Sequence, residues 1–231
     1  MPRPPRLEFA NALYHVTSRG VRRCAIFRDD NDRACLLAIS ALAFNEGDAQ
    51  AFAYCLMGNH YHFVLQTRQA NLSALMHRIN SAYSAAFNRR HALCGTVFEP
   101  RFKAVHVDRD RYLLEACRYV DLNPVRAGLI ESASDWAWSS HGAHTGRRPS
   151  PRWLASEELH GILMAQSSAA RTSTPQQRYV EWVEAGRDID LWRQSLLGGC
   201  FLGDAEFAER VRREAALGSA SGTFIDRVQR L

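Results

Sequence analysis

The chain has 231 residues, 46% of them hydrophobic and 10% aromatic, with a formal net charge of +5. This length is enough to bury a core of ordinary domain size plus an appendage, and no uninterrupted apolar run approaches the ~18 residues of a membrane helix. A soluble, cytoplasmic, non-membrane protein is expected. The opening stretch MPRPPRLEFANALYHV has arginines but no apolar segment followed by small residues, so it does not read as a secretory signal. Six cysteines at 24, 35, 55, 94, 117 and 200 form no CxxC pair and read as buried thiols, not as a disulfide frame or zinc site.

The positive charge is unevenly shared. Residues 1–150 hold 19 basic and 13 acidic side chains, and residues 151–231 hold 10 and 11. Of the 29 basic residues 28 are arginine, which suits bidentate contact with phosphate, although a GC-rich genome also inflates arginine.

ALYHVTSR (12–19) alternates and predicts a strand. NDRACLLAISALAFNEG (31–47) begins on polar capping residues, repeats its apolar positions at helical spacing and stops at Gly47, which predicts a helix. AQAFAYCLM and HYHFVLQT are two β-rich runs broken at Gly58-Asn59, a hairpin signal. NLSALMHRINSAYSAAFNRRH (71–91) predicts a long helix capped by Asn71, FKAVHVD (102–108) a fourth strand, and residues 110–122 another helix. This order predicts an α+β fold, a ferredoxin-like (RRM-like) antiparallel sheet with helices on one face.

Residues 132–152, SASDWAWSSHGAHTGRRPSPR, are rich in Ser, Gly and Pro and predict a connector between a core at 1–131 and a helical extension at 153–231. Within it, WAWSS (136–140) is expected to pack the connector on the core. The extension carries four short amphipathic patterns, WLASEELHGILMAQ, PQQRYVEWVEAG, DIDLWRQSLL and GDAEFAERVRREAALG, with no chemical signal of their own.

Two histidines stand two positions apart in LMGNHYHFVLQT. Residues i and i+2 of a strand share a face, so His60 and His62 project together and can hold one metal ion; an ordinary half-exposed sheet face carries the same spacing. On the helix DRYLLEACRYVDLNPV, Tyr112, Ala116, Tyr119 and Asn123 fall on one stripe. Asn123 precedes Pro124, so its amide lies at the helix end, where it can turn toward a metal or simply cap a packed aromatic face. A tyrosine facing a His-held divalent ion suits phosphodiester cleavage through a covalent phosphotyrosine, which needs no nucleotide cofactor and agrees with the lack of a GxxxxGK[ST] loop.

Between Arg68 and Arg111 there are eight basic and three acidic residues, several interleaved with aromatics in FNRRH and PRFKA. Arg89, Arg90, Arg101 and Lys103 are candidate contacts to a single-stranded or folded DNA backbone; a solvated helix end and loop is the alternative. Arg19 and Arg126 are further candidates for DNA contact. His15 reads either as a satisfied sheet histidine or as a border of the site, and His106 is similar. Tyr14 and Tyr83 are expected in the core.

YHVTSRG, AIFRDD, MGNHYHFVLQT, FNRRH, VFEPRFKA and YVDLNPVRAG, in this order, resemble the REP-associated tyrosine transposases, relatives of the small single-strand transposases of bacterial insertion sequences. The likeness is close over residues 7–145 and looser through YVEWVEAG and LLGGCFLGDAEF. It implies that His60-Tyr61-His62 is a His-hydrophobic-His metal motif, with Tyr61 facing away, that Tyr119 is the nucleophile, and that Asn123 stands at the position of a third metal ligand. Tyr112 remains the competitor on the same helix face. It also implies Mg²⁺ or Mn²⁺, although two imidazoles and an amide also suit Zn²⁺. The implied substrate is hairpin-forming single-stranded DNA, and the implied assembly a monomer or homodimer. A DNA-hairpin-binding regulator that has lost catalysis is the alternative, and a metal-dependent hydrolase using the histidine pair alone is a third.

Overall fold

The computed structural model describes residues 6–166, 173–187, 196–197 and 200–228, with backbone alone for 196–197 and 218–228. Strands β1 (Ala12–Arg19), β2 (Ala49–Leu56), β3 (His60–Thr67) and β4 (Lys103–Val107) form an antiparallel sheet in the order β2-β3-β1-β4. Helix α1 (Asp30–Glu46) joins β1 to β2, and α2 (Leu72–His91) joins β3 to β4. This is the ferredoxin-like arrangement expected of the element order.

Strand alternation sends the side chains into two apolar layers. Tyr14, Val16, Tyr61, Phe63 and Leu65 point to one face and pack with Leu36, Phe44, Met76, Ile79 and Tyr83 of α1 and α2. Leu13, Val64, Val105 and Val107 point to the other face and pack on Leu113, Cys117 and Val120 of α3 (Arg109–Asp121). The α1–α2 pair shares one face as expected, but α3 lies across the opposite one. The physical reason is that the second face also carries apolar side chains, Ala53 and Cys55 of β2, Val105 and Val107 of β4, with Leu13 and Val64 between them, and α1 and α2 can cover only one face.

Helix ends are set by local chemistry. Asp29 caps α1 by accepting from the Asp32 amide at 3.1 Å, and Asp108 caps α3. Asn71 sits at the cap position of α2 without capping it. Its amide donates instead to the Gly47 carbonyl at 2.9 Å, tying the end of α1 to the start of α2.

Residues 132–152 form a packed edge. The Leu56 amide donates to the Trp138 carbonyl at 2.8 Å, the Ser140 amide to the Tyr54 carbonyl at 2.9 Å, and the Ala51 amide to the Trp153 carbonyl at 3.0 Å. Trp136 adds its indole N–H to the Leu56 carbonyl at 3.2 Å. These bonds occupy the outer edge of β2, which otherwise presents a row of unpaired peptide groups. WAWSS thus packs on the core as expected; the short helix α4 (Asn123–Arg126) precedes it, and α5 (His141–His144), α6 (Ser156–Gln166) and α7 (Pro175–Ala185) follow.

The carboxy-terminal region is not purely helical. Before its last helix, Ala205–Val228, it contributes β5 (Leu196–Leu197) and β6 (Phe201–Leu202); β6 extends the sheet parallel to β4, and β5 pairs with β6. Residues 188–195 of the helical pattern DIDLWRQSLL lie outside the described residues, and its last two form β5. The LLGGCFL stretch carried a Gly-Gly hairpin signal that amphipathic patterning obscured.

Cys55 and Cys117 are buried as expected, but Cys24, Cys94 and Cys200 are exposed because they fall in turns between elements. Among the described residues no helix is long and apolar enough to cross a membrane.

Burial lowers the pKa of His106 and His141 to about 4 and that of His144 to about 3, so all three fold as neutral imidazoles. Unfolded imidazole titrates near ~6.5, so between that pH and ~4 the unfolded chain binds more protons and stability falls as pH falls, by on the order of 1.4 kcal/mol per pH unit for each such group. Asp121 opposes this: burial raises it to about 7, so its ionisation destabilises the fold as pH rises from ~4 to 7. Several histidines outweigh one carboxyl, and the melting temperature is expected to drop steadily from pH 7 to pH 5 in a calorimetric series.

Candidate active site

The β1–β3 register pairs Thr17 with His62 and Arg19 with His60, and the β1–β4 register pairs Thr17 with Lys103 and His15 with Val105. Alternation then places His15, Thr17, Arg19, His60, His62 and Lys103 on one face of the sheet, the face that α3 covers. Tyr61 points the other way, as expected, and is fully buried; its hydroxyl donates to Asn80 Oδ1 at 2.5 Å, and Asn80 Nδ2 donates to Ser18 Oγ at 3.0 Å.

The two histidines are held differently. His62 Nδ1 lies 2.9 Å from His15 Nε2 and 3.0 Å from Thr17 Oγ1, and its ring stacks on His15 with centroids 5.0 Å apart. His60 Nδ1 lies 2.7 Å from Asn59 Oδ1, which accepts, so Nδ1 of His60 is the protonated nitrogen. Asn59 is itself pinned. Its Nδ2 donates to the Arg23 carbonyl at 3.0 Å and its own carbonyl accepts from the Gly20 amide at 2.8 Å. Gly20 cannot be replaced here, because a β-carbon would overlap the Cys24 carbonyl.

All three imidazoles are neutral. Burial brings His15 to about 3 and His60 to about 4, the latter helped by Arg19. Burial first, then His15, His60 and Arg19, hold His62 well below its ordinary value. A neutral ring is the form that ligates metals. With Nδ1 of both His60 and His62 engaged, their Nε2 atoms are the ligand positions, and His62 Nε2 is buried with no hydrogen-bond partner. The donor chemistry therefore fits a divalent ion at His60 and His62. Among the described residues no group of three or more His, Cys, Asp or Glu side chains is placed to hold one.

Tyr119 meets this pair. Its ring stands edge-on to His15 at 5.7 Å and to His62 at 6.3 Å between centroids, and the Arg126 guanidinium lies 5.1 Å from its ring centre. Tyr112 lies two turns earlier on α3, about 10 Å along the axis, and packs among the apolar residues of that face. Asn123 sits one turn after Tyr119 and donates its Nδ2 to the Tyr119 carbonyl at 3.1 Å, so only its oxygen can serve as a ligand.

The six basic candidates divide. Arg19, Lys103 and Arg126 surround the histidines and Tyr119. Arg89 and Arg90 end α2 on the opposite side of the sheet, and Arg101 lines a cavity of about 480 Å³ between α2 and the 95–102 loop. Arg90 is committed elsewhere: it forms a bidentate pair with Asp29 at 2.6 and 2.7 Å and also binds Asp32, clamping the start of α1. The structure adds His15, Thr17 and Asn59 to the residues around the histidine pair. Alternation with His62 across β1 was the signal for Thr17, and adjacency to His60 the signal for Asn59. His106 is a packed histidine on the other face, stacked against Phe9 and bonded to the Leu7 carbonyl at 3.0 Å.

The chain belongs to the IS200-like transposase family, whose model matches residues 8–123; it is thus a transposase-family enzyme acting on DNA. No curated protein matches it. Among solved structures, a REP-associated tyrosine transposase bound to a REP hairpin shares the fold at a TM-score of 0.55 and 18% identity, over 67% of this chain and 92% of that one. A structure described as a transposase from Deinococcus radiodurans aligns at a TM-score of 0.37 and 14% identity, over 55% of this chain and 92% of the other, which is too distant to carry an argument.

Replacing Arg90 by alanine is expected to lower the melting temperature by several degrees while leaving DNA affinity nearly unchanged. Replacing Lys103 should do the reverse, weakening DNA binding and reducing its salt dependence by about one phosphate contact. Thermal denaturation and a salt titration of binding check both.

Proposed function

We propose that this protein cleaves and rejoins single-stranded DNA beside hairpin-forming palindromes, with Tyr119 as the nucleophile. The observation that carries this reading is the contact of the Tyr119 ring with the His15–His62 stack, on the face where His60 also projects. In the first step the phenol gives up its proton as its oxygen bonds to phosphorus, the bond from phosphorus to the 3′ oxygen breaks, and a proton passes to the departing 3′ oxygen, so the protons balance. The phosphorus stays linked to Tyr119 on its 5′ side. A second 3′ hydroxyl reverses the step and releases the tyrosine, so the bond energy is kept and no nucleotide cofactor enters.

His60 and His62 would hold a divalent ion, Mg²⁺ or Mn²⁺, through Nε2, with Asn123 supplying an amide oxygen. The chemistry such an ion supplies when bound is polarisation of the scissile phosphate. Around it, His15 and Thr17 orient the His62 ring, and Asn59 orients His60. Arg126 sets a positive charge beside the tyrosine where negative charge develops on the transferred phosphate. Arg19 and Lys103 lie where the DNA backbone approaches this face, and Arg89 and Arg101 extend the basic surface to the α2 side, where a hairpin stem would rest.

The deciding experiment uses a labelled single-stranded hairpin with Mn²⁺ on a denaturing gel. Wild type is expected to give a protease-sensitive adduct. Tyr119→Phe is expected to give none, with hairpin affinity within about two-fold, since the phenol acts only in the transition state. An adduct that persists in Tyr119→Phe would move the nucleophile to Tyr112, and binding without any adduct in wild type would leave the regulator reading. His15→Ala removes an orienting partner rather than a ligand, and is expected to weaken Mn²⁺ binding in calorimetry by roughly 10–100-fold.

A further inference from the structure

The helix that carries Tyr119 is gripped from behind by a part of the chain that the family match does not reach. Asp121, two residues after Tyr119, is fully buried at the end of α3. Both its oxygens are used: Ser140 Oγ donates to Oδ1 at 2.7 Å, and the Tyr179 hydroxyl of α7 donates to Oδ2 at 2.8 Å. Arg118, one residue before Tyr119, is also buried. Its guanidinium lies 4.2 Å from the Trp182 ring centre, donates to the Trp182 carbonyl at 3.3 Å, and pairs with Glu115. It occupies the space a side chain at position 186 would need, because a β-carbon on Gly186 would overlap it.

Buried charged and polar groups rarely add net stability compared with apolar residues of the same volume, and a half-satisfied one is costly. Here one helix carries two of them, and both find partners in α7. On a helical wheel Arg118 and Asp121 lie about 60° apart, and Tyr119 stands about 130° from the midpoint between them. The grip therefore sets the rotation of α3 about its axis. The phenol stands about 6 Å from that axis, so a roll of about 10° moves it about 1 Å, a misplacement that can cost on the order of 100-fold in rate.

We propose that α7 is a positioning clamp for the nucleophile: Tyr179, Trp182 and Gly186 lock Asp121 and Arg118, and so hold Tyr119 against the His15–His62 stack. The clamp rests on the reading of Tyr119 as nucleophile for its catalytic consequence. Its geometric content, that α7 fixes the place of the Tyr119 ring, stands apart from any activity. Arg118 and Asp121 act through Tyr119 and are positioning residues. Two further contacts anchor the same arm: Ser132 Oγ donates to Glu184 Oε1 at 3.3 Å, and the Arg187 guanidinium donates to the Glu131 carbonyl.

The test compares full-length wild type, Tyr179→Phe, Gly186→Ala, Arg118→Met and the Gly186→Ala/Arg118→Met pair. Tyr179→Phe keeps the ring and removes only the hydroxyl on Asp121. Three quantities are read: hairpin affinity, the single-turnover rate of adduct formation at saturating hairpin and Mn²⁺, and the ¹⁹F resonance of 3-fluorotyrosine at position 119 without DNA, assigned by its loss in Tyr119→Phe. The expected result for Tyr179→Phe and Gly186→Ala is a rate at least about ten-fold lower, an affinity within about two-fold, and a shifted or broadened Tyr119 resonance. The paired variant should lose no more than its worse single member, since both changes break one contact. An unmoved Tyr119 resonance in both variants overturns the clamp, as does a rate that falls only in step with affinity. If wild type forms no adduct, the nucleophile reading fails alone, and the fluorine resonance still decides whether α7 holds Tyr119 in place.

Discussion

The antiparallel register of β1 against β3 is the constraint on which the rest depends. Pairing Thr17 with His62 and Arg19 with His60 brings His15, Thr17 and the histidine pair onto one face. A slip of one residue would send His60 and His62 into the apolar layer beneath α1 and α2 and put Tyr61 under α3. Buried tyrosines and phenylalanines on the α1–α2 side oppose that slip. The hydroxyl of Tyr61 opposes it too, because its hydrogen bond to Asn80 exists only in the observed register. The site thus rests on the core packing of the opposite face.

The same burial sets the chemistry of the site. Removal from water keeps three clustered imidazoles neutral, where protonated rings would repel each other and Arg19. Neutral rings have one donor and one acceptor nitrogen each. The neighbours at Nδ1, namely Asn59 for His60 and His15 with Thr17 for His62, therefore determine which nitrogen is left to face a ligand. The Nε2 of His62 is buried without a hydrogen-bond partner, as are ring nitrogens of His106, His141 and His144; what sets His62 apart is its place beside His60 and the Tyr119 ring.

Among the described residues, the carboxy-terminal region meets this core along strand edges and on α3. Residues 136–155 cover the outer edge of β2, β6 lengthens the sheet beside β4, and α7 grips the end of α3. The contacts of 136–155 and of β6 protect or extend strand edges, a need any open sheet has. The α7 contact lands on the residues flanking Tyr119, which ties a region without chemical motifs of its own to the helix bearing the candidate nucleophile.

Much of this was legible in the chain itself. Strands β1 to β4, helices α1 to α3 and their order followed from periodicity and turn residues, because these segments carry strong local signals. The spacing of His60 and His62 already forced them onto one face, and the stripe holding Tyr119 and Asn123 already placed those two a turn apart. Other features required the folded chain. That Tyr119 and not Tyr112 reaches the histidines depends on where α3 crosses the sheet, and both tyrosines share its stripe. That His15 belongs with the site, and Arg90 with Asp29 and Asp32 instead of a DNA surface, depends on contacts between residues 47 to 61 positions apart. The short β5 and β6, and the buried Asp121–Tyr179 and Arg118–Gly186 contacts, have no local signal of comparable strength. Local patterning determined the elements and the faces their side chains share; only tertiary packing decided which faces meet, because that choice is made by long-range burial and by hydrogen bonds that no short stretch of sequence contains.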